Sequence, residues 1–197
     1  MFFNQIPKYR IVVVGEMGVG KTTAILRFCK PESRNGVTPT VGTDFFNNIR
    51  IVDSEQINLQ IWDTPGHVSL LTITQNACRD KKGAALFFDL TSRSSFSNLE
   101  NWINTLKEFM PFHENTPIVI FGNKSDKSKS RAVSEKEARE FAESHNYSYF
   151  ETSGNTGENI EEAFLTILQQ ILEFQKSRPE VTPHPTPEPD PTPHKCC

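Results

Sequence analysis

One eight-residue string, Gly15-Glu16-Met17-Gly18-Val19-Gly20-Lys21-Thr22, constrains this chain more than any other stretch. It fits the pattern G-x-x-x-x-G-K-[ST], follows the apolar run Ile11-Val12-Val13-Val14 and precedes a helix-like segment. A strand that enters a glycine-rich turn and leaves as a helix is built to curl backbone N–H groups around an anion. The helix adds the positive end of its dipole at the same point. Lys21 can reach the outer phosphates of a nucleotide, the Thr22 hydroxyl is placed to ligate Mg2+, and Thr23 completes the phosphate side. The string implies phosphates and leaves the base open.

The segments beyond it alternate. Ala84 to Phe88 and Ile118 to Phe121 are further continuous apolar runs, as buried parallel strands are. Ile49 and Ile51, then Ile57, Leu59 and Ile61, alternate with period two around a turn at Asp53-Ser54-Glu55, which predicts a hairpin with one antiparallel strand. Ser97-x-x-Glu100 and Ser134-x-x-Glu137 read as capping boxes that open helices. Ile160, Ala163, Phe164, Ile167, Leu168 and Ile171 form a helical stripe suited to core packing. The expected class is α/β, a P-loop NTPase fold with a mostly parallel six-stranded sheet, one antiparallel strand and helices on both faces. Ligands of such sheets bind at the carboxyl ends of the strands.

With 197 residues, 36% of them hydrophobic, the chain has room for one such domain, over 1–176, and little else. Seven of the 13 prolines fall in 177–197, a tail that favours polyproline II and has nothing to bury. A net charge of −3 without a basic stripe argues against nucleic-acid binding. No apolar run approaches the ~20 residues of a membrane span, and residues 1–10 lack a signal-peptide pattern. The cysteines, Cys29, Cys78, Cys196 and Cys197, fit neither a disulfide framework nor a zinc site, and suit a reducing compartment.

Asn123-Lys124-Ser125-Asp126 follows the strand ending at Gly122. Asp126 can accept from the N1–H and 2-amino group of guanine; adenine has neither donor and would leave a buried carboxylate unpaired. Asn123 and Lys124 can brace the site. Asp63-Thr64-Pro65-Gly66 follows Trp62. Asp63 can hold Mg2+ through water, and the Gly66 N–H can meet a γ-phosphate. Thr40, before the hairpin, can give the metal a second hydroxyl. Loops carrying Thr40 and Gly66 should order with GTP and relax with GDP.

On these residues the chain resembles the Ras superfamily of small GTPases and, within it, the Rab family. The resemblance spans about 8–175 and includes Val41-Gly42-Thr43-Asp44-Phe45, Leu59-Gln60-Ile61-Trp62-Asp63-Thr64, and Asp89-Leu90-Thr91 with Ser95-Phe96. Glu151-Thr152-Ser153 is similar to the family's guanine-contacting loop, in which Gly154 offers a backbone N–H to O6. Cys196-Cys197 is similar to the Rab site of double geranylgeranylation. The resemblance implies a GTP/GDP switch in vesicle trafficking, served by an exchange factor, a GAP and effectors. It also implies carriage by Rab escort protein and GDP-dissociation inhibitor. Prenyl groups would hold the protein on the cytoplasmic face of intracellular membranes, with a cytosolic pool.

Several positions depart from the family. Rabs usually read Trp-Asp-Thr-Ala-Gly-Gln-Glu, whereas this chain reads Trp62-Asp63-Thr64-Pro65-Gly66-His67-Val68. His67 replaces the glutamine that orients the attacking water, as in the similar Asp-Thr-Pro-Gly-His string of translational GTPases. His67, Lys21 and Gly66 form the expected catalytic set. Met17 is bulky where the loop is usually small, and Ser33 stands where an aromatic ring usually lies on guanine. Ala77-Cys78 replaces an aromatic pair, so Phe45 and Trp62 alone survive from the effector-facing triad. Slow intrinsic hydrolysis and fast nucleotide loss are the expectations. A GTP-binding recruitment module without useful hydrolysis is the alternative; a proline-rich adaptor is weaker, because the tail steps as P-x-P. The tail carries only Arg178 and Lys195 as fixed positive charges, so its second membrane signal would be the second lipid.

Overall fold

Ile11, Val12, Val13 and Val14 are wholly buried at the centre of a six-stranded sheet. The computed structural model describes residues 6–30, 40–111 and 115–177. Of the tail expected over 177–197 only Ser177 is described; the rest, with Cys196 and Cys197, and Ser33 lie outside the described residues. The strands are β1 (Lys8–Gly15), β2 (Asp44–Val52), β3 (Glu55–Asp63), β4 (Gly83–Asp89), β5 (Ile118–Asn123) and β6 (Ser148–Thr152), in the order β2-β3-β1-β4-β5-β6. Only the β2–β3 pair is antiparallel. This is the mostly parallel α/β sheet expected.

Helices cover both faces, because a strand buried on two sides needs an apolar layer against each. On one face α1 (Lys21–Cys29) and α6 (Ile160–Lys176) pack over Ile11, Val13, Phe87 and Phe121. All six residues of the α6 stripe are buried there, and Phe28 stacks on Phe164 with ring centroids 4.8 Å apart. On the other face α2 (Leu71–Cys78), α3 (Arg93–Ser97), α4 (Leu99–Phe109) and α5 (Glu135–Ser144) cover Val12, Val14, Leu86 and Phe88. The parallel register brings the strand ends at Gly15, Asp63, Asp89, Asn123 and Thr152 to one rim.

Two local expectations fail. Ser134 caps α5 by accepting the Glu137 N–H, but Ser97 opens nothing. Ser92 caps α3 instead, Ser97 ends that helix, and α4 starts after Asn98, leaving Glu100 to pair with Nε2 of His145 at 3.1 Å. In the hairpin, Ile57, Leu59 and Ile61 are buried while Ile49 and Ile51 are 53% and 73% exposed. The inward face of β2 carries Phe46, Asn48, Arg50 and Val52. Polar groups fit there because α1 ends above them: Asn48 Nδ2 donates to the Phe28 carbonyl at 3.0 Å, and the Arg50 guanidinium lies 4.8 Å from the Phe28 ring centre.

Candidate functional site

The phosphate loop turns at Gly20, whose φ of 95° lies in the left-handed region. A side chain there would also strike Asn123, since a Cβ would sit 2.3 Å from its Nδ2. No side chain caps α1, so the N–H groups of its first turn keep their capacity for an anion. Lys21 is 6% exposed and donates to the carbonyls of Gly15 at 2.8 Å and Glu16 at 2.9 Å. Burial pushes its ammonium down to about 8, against the pull of Asp63 and Glu16. Phosphates arriving beside it favour the charged form. The groove in front, about 380 Å³, is lined by Met17, Gly18, Lys21, Thr22, Thr40 and Gly66, with Gly20, Thr23, Thr64 and His67 completing it.

Thr22, Thr40 and Asp63 come from three separate segments and meet in that groove. The Thr22 hydroxyl donates to Asp63 Oδ2 at 2.5 Å, lies 3.0 Å from the Thr40 hydroxyl, and Thr40 reaches the same carboxylate oxygen at 3.3 Å. The other oxygen, Asp63 Oδ1, is buried without a partner. Burial raises the Asp63 pKa, opposed by the Thr22 hydrogen bond and the Lys21 charge. A carboxylate with one oxygen unspent beside two hydroxyls is a hard, all-oxygen donor set, which fits Mg2+. Among the described residues no cluster of His, Cys, Asp and Glu forms a complete protein cage, and Mg2+ at phosphates needs none.

Across the rim, the residues expected to receive guanine are braced against the phosphate loop. Asn123 Nδ2 donates to the Val19 carbonyl at 2.7 Å, and Lys124 Nζ donates to that of Gly18 at 2.7 Å. Asn123 Oδ1 accepts from Gly154 N–H at 3.0 Å and from the Thr152 hydroxyl at 3.4 Å. The Gly154 donor expected at O6 is thus held by Asn123 here. Ser153 donates to Asp126 Oδ1 at 2.6 Å and Asn155 Nδ2 reaches Oδ2 at 3.4 Å. Asp126 is exposed rather than buried.

Residues 10–173 match the model of the Ras family. The chain belongs to the Rab branch of that family. It is 39% identical over 166 residues to Ras-related protein RABA6b of Arabidopsis thaliana, covering 84% of this chain and 71% of the relative. It is 36% identical over 170 residues to GTP-binding protein ypt3 of Schizosaccharomyces pombe, covering 86% and 78%. It is 36% identical over 186 residues to Ras-related protein Rab-27B of Rattus norvegicus, covering 89% and 85%. As a member of this family it is a GTPase that binds GTP and GDP.

Two departures of this Rab-type GTPase from the usual pattern, Met17 and His67, line the groove in front of Lys21 and Thr22. Gly66 lies against the phosphate loop so closely that a Cβ would meet the Met17 nitrogen at 2.4 Å. His67 is exposed, and its Nδ1 accepts the Ser69 N–H at 3.2 Å, which leaves the proton of a neutral ring on Nε2. That nitrogen can donate to a water or a phosphate oxygen and cannot take a proton. Met17 is 58% exposed and separates the groove from a second hollow, about 490 Å³, lined by Glu16, Asp89, Ser92, Ser94, Ser95 and Asn98 among others.

Three contacts in the site are not expected from the sequence, two of them made by residues of the quoted motifs, Asp89 and Thr64. Asp89 pairs with Lys124 at 2.7 Å; its signal was a carboxylate closing an apolar strand. Arg27, on α1, donates to the carbonyls of Gly154 and Asn155 and so holds the guanine loop from below. Thr64 anchors the loop after β3 by donating to the Val13 carbonyl at 2.7 Å. Neither Arg27 nor Thr64 stands out without knowledge of what lies opposite.

Proposed function

We propose that this Rab-type GTPase is a membrane-trafficking switch that turns GTP over slowly unless a partner assists. The observation that carries the reading is the Thr22–Thr40–Asp63 meeting point, which ties the phosphate loop to the segment before β2 and to the end of β3. A γ-phosphate and its Mg2+ would add contacts to Thr40 and Gly66 that GDP lacks, so the two nucleotides favour different arrangements of these loops. When bound, Mg2+ would supply charge neutralisation at the phosphates. Thr22 and Thr40 would offer it oxygens directly, and Asp63 through water. Lys21 neutralises the outer phosphates, the loop amides from Glu16 to Thr23 orient them, and Gly66 donates its N–H. His67 has the position but not the proton-accepting nitrogen of a base, so its role would be to align water by donating from Nε2.

Guanine would lie against Asn123, Lys124 and Asp126, with Thr152, Ser153 and Gly154 forming the other wall. The exposed Phe45 ring and the half-buried Trp62 ring, stacked with centroids 5.6 Å apart, are the surface we assign to effectors. Exchange factor, GAP, escort protein and dissociation inhibitor follow from the Rab relationship, and Cys196 and Cys197 would carry the lipid. A second reading, recruitment without hydrolysis, is favoured by the Met17 and His67 geometry. Identifying the nucleotide that co-purifies with the protein separates them: GDP supports turnover, GTP supports the second reading, and no guanine nucleotide overturns both.

A further inference from the structure

Strand β2 is nine residues long, lies at the end of the sheet, and pairs with nothing on its far side among the described residues. Its turn has two residues, Asp53 and Ser54, both with positive φ (50° and 68°), so Val52 and Glu55 close the hairpin as a hydrogen-bonded pair. Alternation from that pair sends the N–H and C=O groups of Ile51, Ile49, Asn47 and Phe45 outward, away from β3. Arg50 Nη1 lies 3.4 Å from the Ile49 carbonyl, consistent with that direction. The same residues place an apolar row, Phe45, Ile49 and Ile51, on the uncovered face, at 55%, 53% and 73% exposure. Soluble proteins usually blunt such an edge with proline, lysine or a bulge. This strand, DFFNNIRIV, contains neither proline nor lysine and pairs with β3 without interruption over nine positions; of the usual devices it has only an inward-facing charge, Arg50.

We infer that the β2 edge is a self-association surface, on which a second copy of this chain adds its own β2 antiparallel across a two-fold axis at Asn47. Self-complementarity selects the occupant. With Asn47 facing its copy, Phe45 faces Ile49 and Asp44 faces Arg50, each pairing occurring twice. The edge-facing residues then exchange N–H and C=O groups, Phe45–Ile49 forms an aromatic–aliphatic cross-strand pair, and Asp44–Arg50 joins opposite charges on the other face. Asp44 is exposed; Arg50, its side chain 30% exposed, already lies 3.6 Å from Glu161, so the Asp44 of a second copy would join that pair rather than meet an unpaired charge. Two six-stranded sheets become one of twelve strands.

The test is sedimentation and light scattering of the full nucleotide-loaded chain from low micromolar to several hundred micromolar. The expected result is a reversible shift to twice the monomer mass. Ile49→Lys should weaken that association at least tenfold while nucleotide binding, a folding control, is retained. Asn47→Cys, with Cys196 and Cys197 changed to Ser, should form a covalent dimer under mild oxidation, since a hydrogen-bonded pair on the axis holds its Cα atoms about 5.5 Å apart. Ile51→Cys in the same background should not. A wild-type protein monomeric throughout, or a dimer indifferent to Ile49→Lys, overturns the inference. So does a full chain that is monomeric while a chain ending at Ser177 dimerises, because the tail would then be the occupant.

Discussion

His67 accepts the Ser69 backbone N–H on Nδ1 at 3.2 Å, with the Ser69 hydroxyl 2.7 Å from the same nitrogen. The ring is therefore held toward its own short helical turn, Val68–Leu70, and offers the groove at most one donor. A glutamine at this place offers both an acceptor and donors to an attacking water. His67→Gln is expected to raise the single-turnover hydrolysis rate about tenfold, the equivalent of ~1.4 kcal/mol of barrier. An unchanged or lower rate removes the tautomer argument. Ser69→Ala removes only the hydroxyl and keeps the backbone N–H on Nδ1, so it should leave both the hydrolysis rate and nucleotide affinity near those of the wild type.

Asp126 gives the base side an equally specific test. Its two oxygens are acceptors, matched to the N1–H and 2-amino group of guanine. Asp126→Asn turns one acceptor into a donor, which suits a purine with a carbonyl at C2. The variant should lose at least a hundredfold in GDP affinity and gain affinity for xanthosine diphosphate, because a mismatched polar group at a recognition site is left unpaired. Competition between the two nucleotides against a fluorescent analogue measures it. Retained guanine preference would place base recognition elsewhere.

The sheet and most helices were legible because burial on both faces leaves continuous apolar runs, and Ile11–Val14, Ala84–Phe88 and Ile118–Phe121 all lie in strands. The motif residues of the site were legible for a related reason: backbone geometry and anion chemistry restrict what can stand at Gly20, Lys21 or Thr22. Period-two alternation misled at Ile49 and Ile51, because it reports two faces without saying which one is covered. The end of α1 above Asn48 and Arg50 decides that, and this contact crosses twenty residues of sequence. Ser97 misled because a capping pattern cannot show that its serine already belongs to the preceding helix. Arg27 was invisible for the same reason as Asn48: its partner, the 154–155 backbone, is more than a hundred residues away.

Acid should loosen the guanine wall from a specific contact. Glu151 receives Arg131 on both oxygens, at 2.7 and 2.6 Å, and the Tyr149 hydroxyl at 3.1 Å. The Arg131 hydrogen bond, helped by its charge, holds the Glu151 pKa below the usual carboxylate value. A depressed folded-state pKa stabilises the fold above the unfolded value near 4.5 and loses that contribution as pH falls through the folded value. Glu151→Gln should therefore cost about 1 kcal/mol at neutral pH, kept small by the solvent that reaches the pair, and should flatten the acid limb of the stability curve. Denaturation midpoints at pH 7 and pH 3.5 that differ equally in wild type and variant would assign the acid sensitivity to another carboxylate.

The last expectation concerns anchoring. Among the described residues no helix is long and apolar enough to cross a membrane. The membrane attachment proposed for this GTPase is assigned to the segment after α6, on the resemblance of Cys196-Cys197 to a Rab lipidation site. That segment holds Glu180, Glu188 and Asp190 against Arg178 and Lys195, too little positive charge to supplement a single lipid. Two lipids on Cys196 and Cys197, as proposed, would meet the requirement, because one chain gives only marginal and reversible binding. Cys196→Ser with Cys197→Ser should leave the protein in the soluble fraction of a cell lysate with nucleotide binding intact. Either single change should give partial, salt-insensitive loss from the membrane fraction, since no charge pairing contributes. Membrane retention of the double variant would show that attachment runs through a bound partner instead, and strong salt dependence of the wild type would show that charge contributes after all.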